Sequence, residues 1–267
     1  MLKKVKSNFI MKKIFANIKK KRKFNIIKYN KKMAQRLNIF KEDFKIFKIL
    51  KEFNEEYKLN VEDNDINELD LKNEGIGNKG LEYLNKIKLL RLKLLDLSYN
   101  KISDIEILKD LNSKELKELY LSGNIISNIN ILEKVNFNKL NILDLRYNKI
   151  SNIKILGKVN FVELKILNLN YNEISDIDIL EKVNLNELKE LDLSYNRISD
   201  INILVKANFE QLKELDLSHN RISDIDILEK VNFKKLKVLD LFENDVSKSD
   251  NYTIINNLKL KMINLYL

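Results

Sequence analysis

The chain has 267 residues, with 49 Lys and Arg against 39 Asp and Glu, which gives a formal net charge of +10. Cysteine is absent, which excludes disulfide bonds and favours an intracellular, reducing compartment, the cytoplasm first, with the nucleus or an organelle as alternatives. No apolar run approaches the roughly 20 residues needed to cross a bilayer, so we expect a soluble chain.

Residues 1–33 form a basic N-terminal segment. Residues 1–41 contain 15 Lys and Arg and no acid, so the remainder, with 34 basic and 39 acidic residues, has a formal charge of −5. Apolar residues between positions 2 and 18 fall near helical spacing among lysines, and residues 19–23 read KKKRK. This pattern fits binding to an anionic membrane or to nucleic acid, a targeting signal, or docking onto acidic positions of the same chain. A solvated, partly disordered extension is the alternative.

Residues 34–60 predict a capping helix. Apolar and aromatic side chains recur there every three or four residues, at Phe40, Phe44, Phe47, Leu50, Phe53 and Tyr57. Residues 61–267 consist of repeats, and the first repeat of a stack must hide its open apolar face. An amphipathic helix directly before the first strand would cover that face.

Residues 75–80 read GIGNKG, which satisfies the dinucleotide-binding pattern G-x-G-x-x-G. They follow a predicted strand and precede a predicted helix, as that motif requires. The chain then continues as short repeats instead of a wound parallel sheet, so we do not expect a nucleotide site. Residues 63–74 match four ligand positions of a calcium loop but lack its glycine, so we do not expect a calcium site either.

A 24-residue pattern runs through the rest of the chain, and residues 188–211 (LKELDLSYNRISDINILVKANFEQ) are a typical copy. Leu191 and Leu193 alternate with polar residues, which predicts a short strand with its leucines facing inward. An asparagine closes each copy at a constant interval of 24: Asn100, Asn124, Asn148, Asn172, Asn196, Asn220 and Asn244. Its amide can bond backbone groups of its own and the neighbouring turn, which predicts a ladder of asparagines in a stacked solenoid.

These repeats resemble the leucine-rich repeat family over residues 66–267. The resemblance implies an α/β solenoid, a curved right-handed stack with a parallel sheet on its concave side and an N-terminal helical cap. The repeat length resembles that of short intracellular members, and the regular segment ISDI-x-IL also resembles bacterial internalins. The unit around GIGNKG resembles the longer, helix-containing ribonuclease-inhibitor type, although Glu74 replaces the usual asparagine.

Two details of the array are predicted from spacing. Ser103 with Glu106, and Ser175 with Asp178, have the spacing of a capping box, so we expect serines to cap the helical turns on the return side. At the end of the chain we expect the last copy to begin with Leu260, followed by the inward pair at positions 263 and 265.

The sequence does not predict an enzyme. The one histidine, His219, occupies a position held by tyrosine in other copies. We therefore expect it to be another ladder side chain, in the row that these tyrosines form. An aspartate recurs on the strands at Asp96, Asp144, Asp192, Asp216 and Asp240. Carboxylates about 4.8 Å apart on parallel strands form a repeated surface position, not a tuned acid and base. We expect no metal, no cofactor and no small-molecule substrate.

The outward strand positions form the surface that solenoids usually offer to partners. Tyr120 replaces an acid there, Ile142 and Ile166 replace glutamate, and Arg146 replaces serine. We therefore predict a non-catalytic scaffold or adaptor that binds another protein; the alternatives are tolerated drift at exposed positions, and a localisation, nucleic-acid or membrane-binding factor acting through residues 1–33. The predicted partner-binding residues are Glu118, Tyr120, Ile142, Asp144, Arg146, Tyr147, Ile166, Asn168, Tyr171 and Phe242.

Overall fold

The computed structural model describes residues 35, 41–62, 64–111, 113–231, 234–247, 251–260 and 264–267. Residues 1–33 lie outside these ranges, so the targeting, nucleic-acid and membrane hypotheses for them stay predictions. None of the helices within the described ranges is long and apolar enough to span a bilayer.

Short parallel strands in chain order form a single sheet in the described part of the chain. The nine strands are β1 (Glu68–Asp70), β2 (Leu94–Asp96), β3 (Glu118–Tyr120), β4 (Ile142–Asp144), β5 (Ile166–Asn168), β6 (Glu190–Asp192), β7 (Glu214–Asp216), β8 (Val238–Asp240) and β9 (Asn264–Tyr266). The central leucine is buried in each of β1 to β8, as the alternation of leucine and polar residues predicts. The predicted solenoid with one parallel sheet is therefore confirmed.

Most strands are followed on the return side by one turn of 3₁₀ helix. These turns are Glu106–Asp110, Asn130–Glu133, Lys154–Gly157, Asp178–Glu181, Asn202–Val205 and Asp226–Glu229. Their isoleucines and leucines pack with the strand leucines into one continuous core.

The predicted serine caps are wrong. The residue directly before each of these 3₁₀ turns makes no capping hydrogen bond with its side chain. The first N–H of the turn is instead bonded by the Asp or Asn that follows each serine. Asp104 accepts the backbone N–H of Glu106 at 2.8 Å, and Asp176 accepts that of Asp178 at 2.9 Å. A carboxylate two residues before the turn reaches this N–H in an Asx turn, whereas Ser103 lies one residue further back.

Within the described residues, two α-helices form the N-terminal end of the solenoid. The helix α2 (Gly77–Ile87) replaces the 3₁₀ turn in the first unit, as the ribonuclease-inhibitor-like segment predicts. The helix α1 (Lys41–Tyr57) packs on α2, with Phe53 fully buried and its ring centroid 5.6 Å from that of Tyr83. The Tyr57 hydroxyl donates to the carbonyl of Ile76 at 3.2 Å. The predicted capping helix is therefore confirmed.

The last unit differs from the prediction by two residues. Leu265 pairs with Leu239 across β8 and β9, so this unit spans 26 residues (265 − 239) instead of 24. Leu265 is therefore the central strand residue, where the prediction placed position 263. The physical reason is the helix α3 (Tyr252–Leu260), whose nine residues occupy the place of a four-residue 3₁₀ turn.

The predicted asparagine ladder is confirmed. Asn172 donates through Nδ2 to the carbonyl of Leu169 in its own turn and to that of Leu145 in the preceding turn, both at 3.0 Å. Its Oδ1 accepts the backbone N–H of Ile150 at 2.9 Å. The other six ladder asparagines make equivalent bonds. Each amide thereby ties consecutive turns together four residues beyond the strand end.

Candidate protein-binding surface

The predicted patch residues of β3 to β5 lie side by side on the concave sheet. Ile142 is paired in register with Glu118 on one side and Ile166 on the other. The next outward row places Tyr120 beside Asp144, and Asn168 follows it in the same register. Neighbouring strands lie about 4.8 Å apart, so these side chains form one surface. All of them are half-buried except Asp144, which is buried.

Tyr120 is held in place by a hydrogen bond to its own strand. Its hydroxyl donates to Oε2 of Glu118 at 2.9 Å. Burial, followed by this bond to Glu118, raises the pKa of Tyr120 to about 12. The phenol is therefore neutral at physiological pH, and its hydroxyl is held by Glu118.

Arg146 is oriented by a buried carboxylate. Its Nε lies 3.1 Å from Oδ2 of Asp144, whose side chain is 7% exposed while that of Arg146 is 44% exposed. Burial raises the pKa of Asp144, and the backbone N–H and charge of Arg146 oppose this rise. Because Asp144 is covered, it acts on the surface by positioning the guanidinium, and Arg146 is the member of the pair that a partner can reach.

An aromatic rail runs along the edge of the concave sheet. We define it as Tyr147, Tyr171, Tyr195 and His219, each three residues beyond a strand end, with Phe242, two residues beyond β8, at its end. The ring centroids of the first four are 4.3, 3.9 and 3.9 Å apart in stacked pairs, and Phe242 meets His219 edge-on at 5.7 Å. His219 therefore stacks in the row of tyrosines, and its predicted role as a ladder side chain in that row is confirmed.

The rail leaves a large aromatic area open to solvent. Its three tyrosines and Phe242 are 36% to 47% exposed. Tyr147 and Tyr171 were predicted as contact residues, whereas Tyr195 was not, although it follows at the same interval of 24. Gly123 occupies the equivalent place one repeat earlier, and the Tyr99 ring lies over it, so that even a Cβ at position 123 would overlap the ring. The continuous rail therefore begins at Tyr147.

An acidic half of the sheet lies next to this patch. Five of the six outward strand positions of β6 to β8 carry carboxylates: Glu190, Asp192, Glu214, Asp216 and Asp240. The aspartates also have a structural role, since Asp216 accepts the backbone N–H of Ser218 at 2.9 Å and Asp192 that of Ser194 at 3.0 Å. The sequence pattern alone does not reveal this turn-closing bond.

In the described residues, the lysines that precede these strands form no close ion pair with the acidic half. Lys189, Lys213 and Lys237 contribute backbone bonds to the sheet. Within the described residues, none of the three forms an ion pair with a carboxylate of β6 to β8. The described ranges also contain no group of three or more His, Asp or Glu that could hold a metal ion.

We expect Asp216→Asn to fold and to be at least as stable as the wild type at neutral pH. Burial, together with the charges of Asp192 and Asp240, raises the pKa of Asp216. A carboxylate whose folded pKa is raised destabilises the fold above that pKa, and this effect disappears as the pH falls below the unfolded value. Asn168 shows that an amide can make the same bond, because its Oδ1 accepts the N–H of Asn170 at 3.1 Å.

The measurement is the free energy of unfolding from pH 7 down through the carboxylate range. The advantage of Asp216→Asn should shrink on acidification, while Asp216→Ala, which loses the bond to Ser218, should be less stable than Asp216→Asn throughout. An advantage that grows as the pH falls would contradict the assignment.

Sequence comparison matches two repeat families. One, described as leucine rich repeat, matches residues 162–222 and 186–246. The other, described as leucine rich repeats in two copies, matches residues 90–134. Comparison with curated proteins gives no significant match.

Several solved structures are similar to this chain. Internalin C2 from Listeria monocytogenes has a TM-score of 0.62 at 26% identity, covering 82% of this chain and 90% of that one. Internalin InlF from the same bacterium has a TM-score of 0.44 at 25% identity, covering 84% of each chain. The ectodomain of a plant receptor kinase from Arabidopsis thaliana, in complex with CASPARIAN STRIP INTEGRITY FACTOR 2, has a TM-score of 0.49 at 26% identity, covering 64% and 21%.

The similarity to internalin C2 extends over most of both chains and agrees with the parallel sheet described above. The matched repeats coincide with the strand, ladder and return turn of the described units. The chain is a leucine-rich repeat protein.

Proposed function

We propose that the chain is a non-catalytic scaffold or adaptor that binds another protein through its concave face, with the contacts centred on β3 to β5. The leucine-rich repeat fold generally serves as a protein–protein interaction scaffold. The observation that supports this centre is the group of Tyr120, Ile142 and Ile166 on three adjacent strands, where the regular copies carry acids. An apolar group on an otherwise charged sheet is typical of an interface core.

The polar side chains of the patch are ordered before a partner binds, which lowers the entropy cost of binding. Glu118 holds the Tyr120 hydroxyl, and Asp144 holds the Arg146 guanidinium. Side chains ordered before binding lose less conformational entropy when a partner arrives. Tyrosine and arginine are also among the residue types enriched at energetic hot spots.

We expect Tyr120→Ala and Arg146→Ala each to weaken partner binding about fivefold or more, because truncating an anchor commonly costs more than about 1 kcal/mol. Both side chains lie on the outward face, so the folded repeats should persist. The control is Val162→Ala, a truncation at an apolar side chain that is exposed outside the sheet.

The experiment is affinity capture by the full chain, followed by titration of the isolated partner against each variant. Proteins retained by the wild type and by Val162→Ala but lost by both concave variants would support the proposal. Equal affinity of the partner for all four proteins would reject the concave centre.

The second function, localisation or nucleic-acid or membrane binding through residues 1–33, concerns a segment outside the described residues. A partner bound by the repeats should be captured by residues 34–267 as well as by the full chain. Binding through the basic segment should instead require residues 1–33 and weaken steeply with salt.

A further inference from the structure

The concave face is divided into two chemically different halves. Across β4 and β5 the first outward row is Ile142 and Ile166, whereas across β6 and β7 the same row is Glu190 and Glu214. The change occurs between two paired strands, at the register contact of Ile166 with Glu190. A segment lying across the strands would therefore meet an apolar surface and then a negative one.

The carboxylates of the negative half repel one another. Glu190 and Glu214 are exposed and directly paired in register, which brings like charges together on neighbouring strands. Burial raises the pKa of Asp216, and the charges of the neighbouring aspartates raise it further. No ion pair in the described part of the chain neutralises either glutamate. A cationic group from outside would relieve this repulsion.

The aromatic rail connects the two halves. Tyr147 and Tyr171 follow β4 and β5, while Tyr195 and His219 follow β6 and β7, and their rings stack without interruption. Lysine and arginine carry long aliphatic stems that pack on apolar surfaces while the charged end stays solvated. The rail can therefore support the stems of basic residues whose charged ends reach the carboxylates.

We propose that the occupant of this face is an extended segment of another protein that carries a block of apolar residues next to a block of lysine or arginine. This proposal rests on the proposed function and adds the chemistry of the partner. The apolar block lies over β4 and β5, and the basic block lies over β6 to β8. Four strand spacings of about 4.8 Å make roughly 19 Å, which about six extended residues span at ~3.3 Å each.

The test uses the full chain and three labelled synthetic peptides of about ten residues, titrated by fluorescence anisotropy. The first peptide has an isoleucine and tyrosine block next to a lysine block. The second has glutamate in place of lysine, and the third has the residues of the first in alternating order. The first peptide should bind most tightly, about tenfold better than either of the others, and its affinity should fall with salt.

Charge reversal identifies the acidic half. Glu190→Lys combined with Glu214→Lys should weaken the first peptide at least about tenfold and favour the glutamate peptide. The matched control, Asp178→Lys combined with Asp226→Lys, makes the same change in net charge on the opposite side. Lys154 occupies the equivalent position in another repeat, so the control should fold, and it should leave the affinity within about twofold.

Three results of the binding measurements would overturn the proposal. These are no binding of the first peptide, equal binding of the lysine and glutamate peptides, or equal effects of the concave and control reversals. Carbodiimide cross-links within one chain, joining lysines of residues 1–33 to Glu190 or Glu214, would also overturn it by making the chain's own basic segment the occupant. Loss of a captured partner on Tyr120→Ala together with any of these results would leave the proposed function standing and remove only the partner chemistry.

Discussion

Leu167→Ala is expected to lower the free energy of unfolding by roughly 2 to 5 kcal/mol, the range for truncating a fully buried leucine. Leu167 is the central residue of β5, has no exposed surface, and lies in register between Leu143 and Leu191. Truncation leaves a cavity inside a stack whose units contact only their neighbours, so coupling to both adjacent units weakens. Chemical denaturation followed by circular dichroism measures the loss.

The control for this variant is the adjacent residue on the opposite face. Ile166→Ala removes a similar side chain from the outward surface of the same strand and should cost less than about 1 kcal/mol. Equal destabilisation by the two variants would mean that the inward and outward faces of β5 are wrongly assigned. A stable Ile166→Ala protein would also qualify as a binding variant, because any loss of affinity could then be attributed to the surface.

Asn172→Ala is expected to destabilise the fold by about 1 to 3 kcal/mol, the cost of leaving a buried backbone group unpaired. The orphaned group is the N–H of Ile150, whose hydrogen-bond acceptor is Oδ1 of Asn172. The carbonyl of Leu145 keeps a second donor, the amide of Asn148. The loss should therefore correspond to about one unpaired group and be well below the sum of all the bonds that Asn172 makes.

Two further substitutions test this explanation. Asn172→Asp keeps an acceptor for Ile150 but turns an oxygen toward the carbonyls of Leu145 and Leu169, so it should not restore stability. Asn184→Ala, at an exposed asparagine outside the ladder, should change stability by less than about 0.5 kcal/mol. An Asn172→Ala protein as stable as Asn184→Ala would show that the ladder does not hold the turns together.

Much of the fold could be predicted because repetition makes each signal recur. Leu191 and Leu193 alone would be a weak indication of a strand, but the same spacing in successive copies leaves one stacking register. The interval of 24 predicts a structural role for Asn172, and its bonds confirm that role. The capping helix was predicted by a stripe that included Phe53, whose ring is buried against the first unit.

The candidate surface was predicted less completely. The substitutions at Tyr120 and Arg146 were visible as departures from the regular copy. The burial of Asp144 was not visible in the sequence, because it depends on how the side chains of neighbouring strands fill the space around it. The rail also extends through Tyr195, and stacking between rings of different repeats depends on the left-handed backbone at each position, with φ of 49° to 54° at Tyr147, Tyr171 and Tyr195.

The repeat length, the inward leucines and the asparagine ladder can be predicted from the residues alone, since they follow from periodicity and from the few ways a chain can satisfy its buried backbone groups. The folded stack is needed to show which residue caps the return turns, where the last strand pairs, and that Asp144 is covered while Arg146 is open. It also shows that, among the described residues, the lysines before the strands form no ion pair with the acidic half. These features depend on distances of a few ångströms between side chains of different turns, and such distances exist only once the stack has formed.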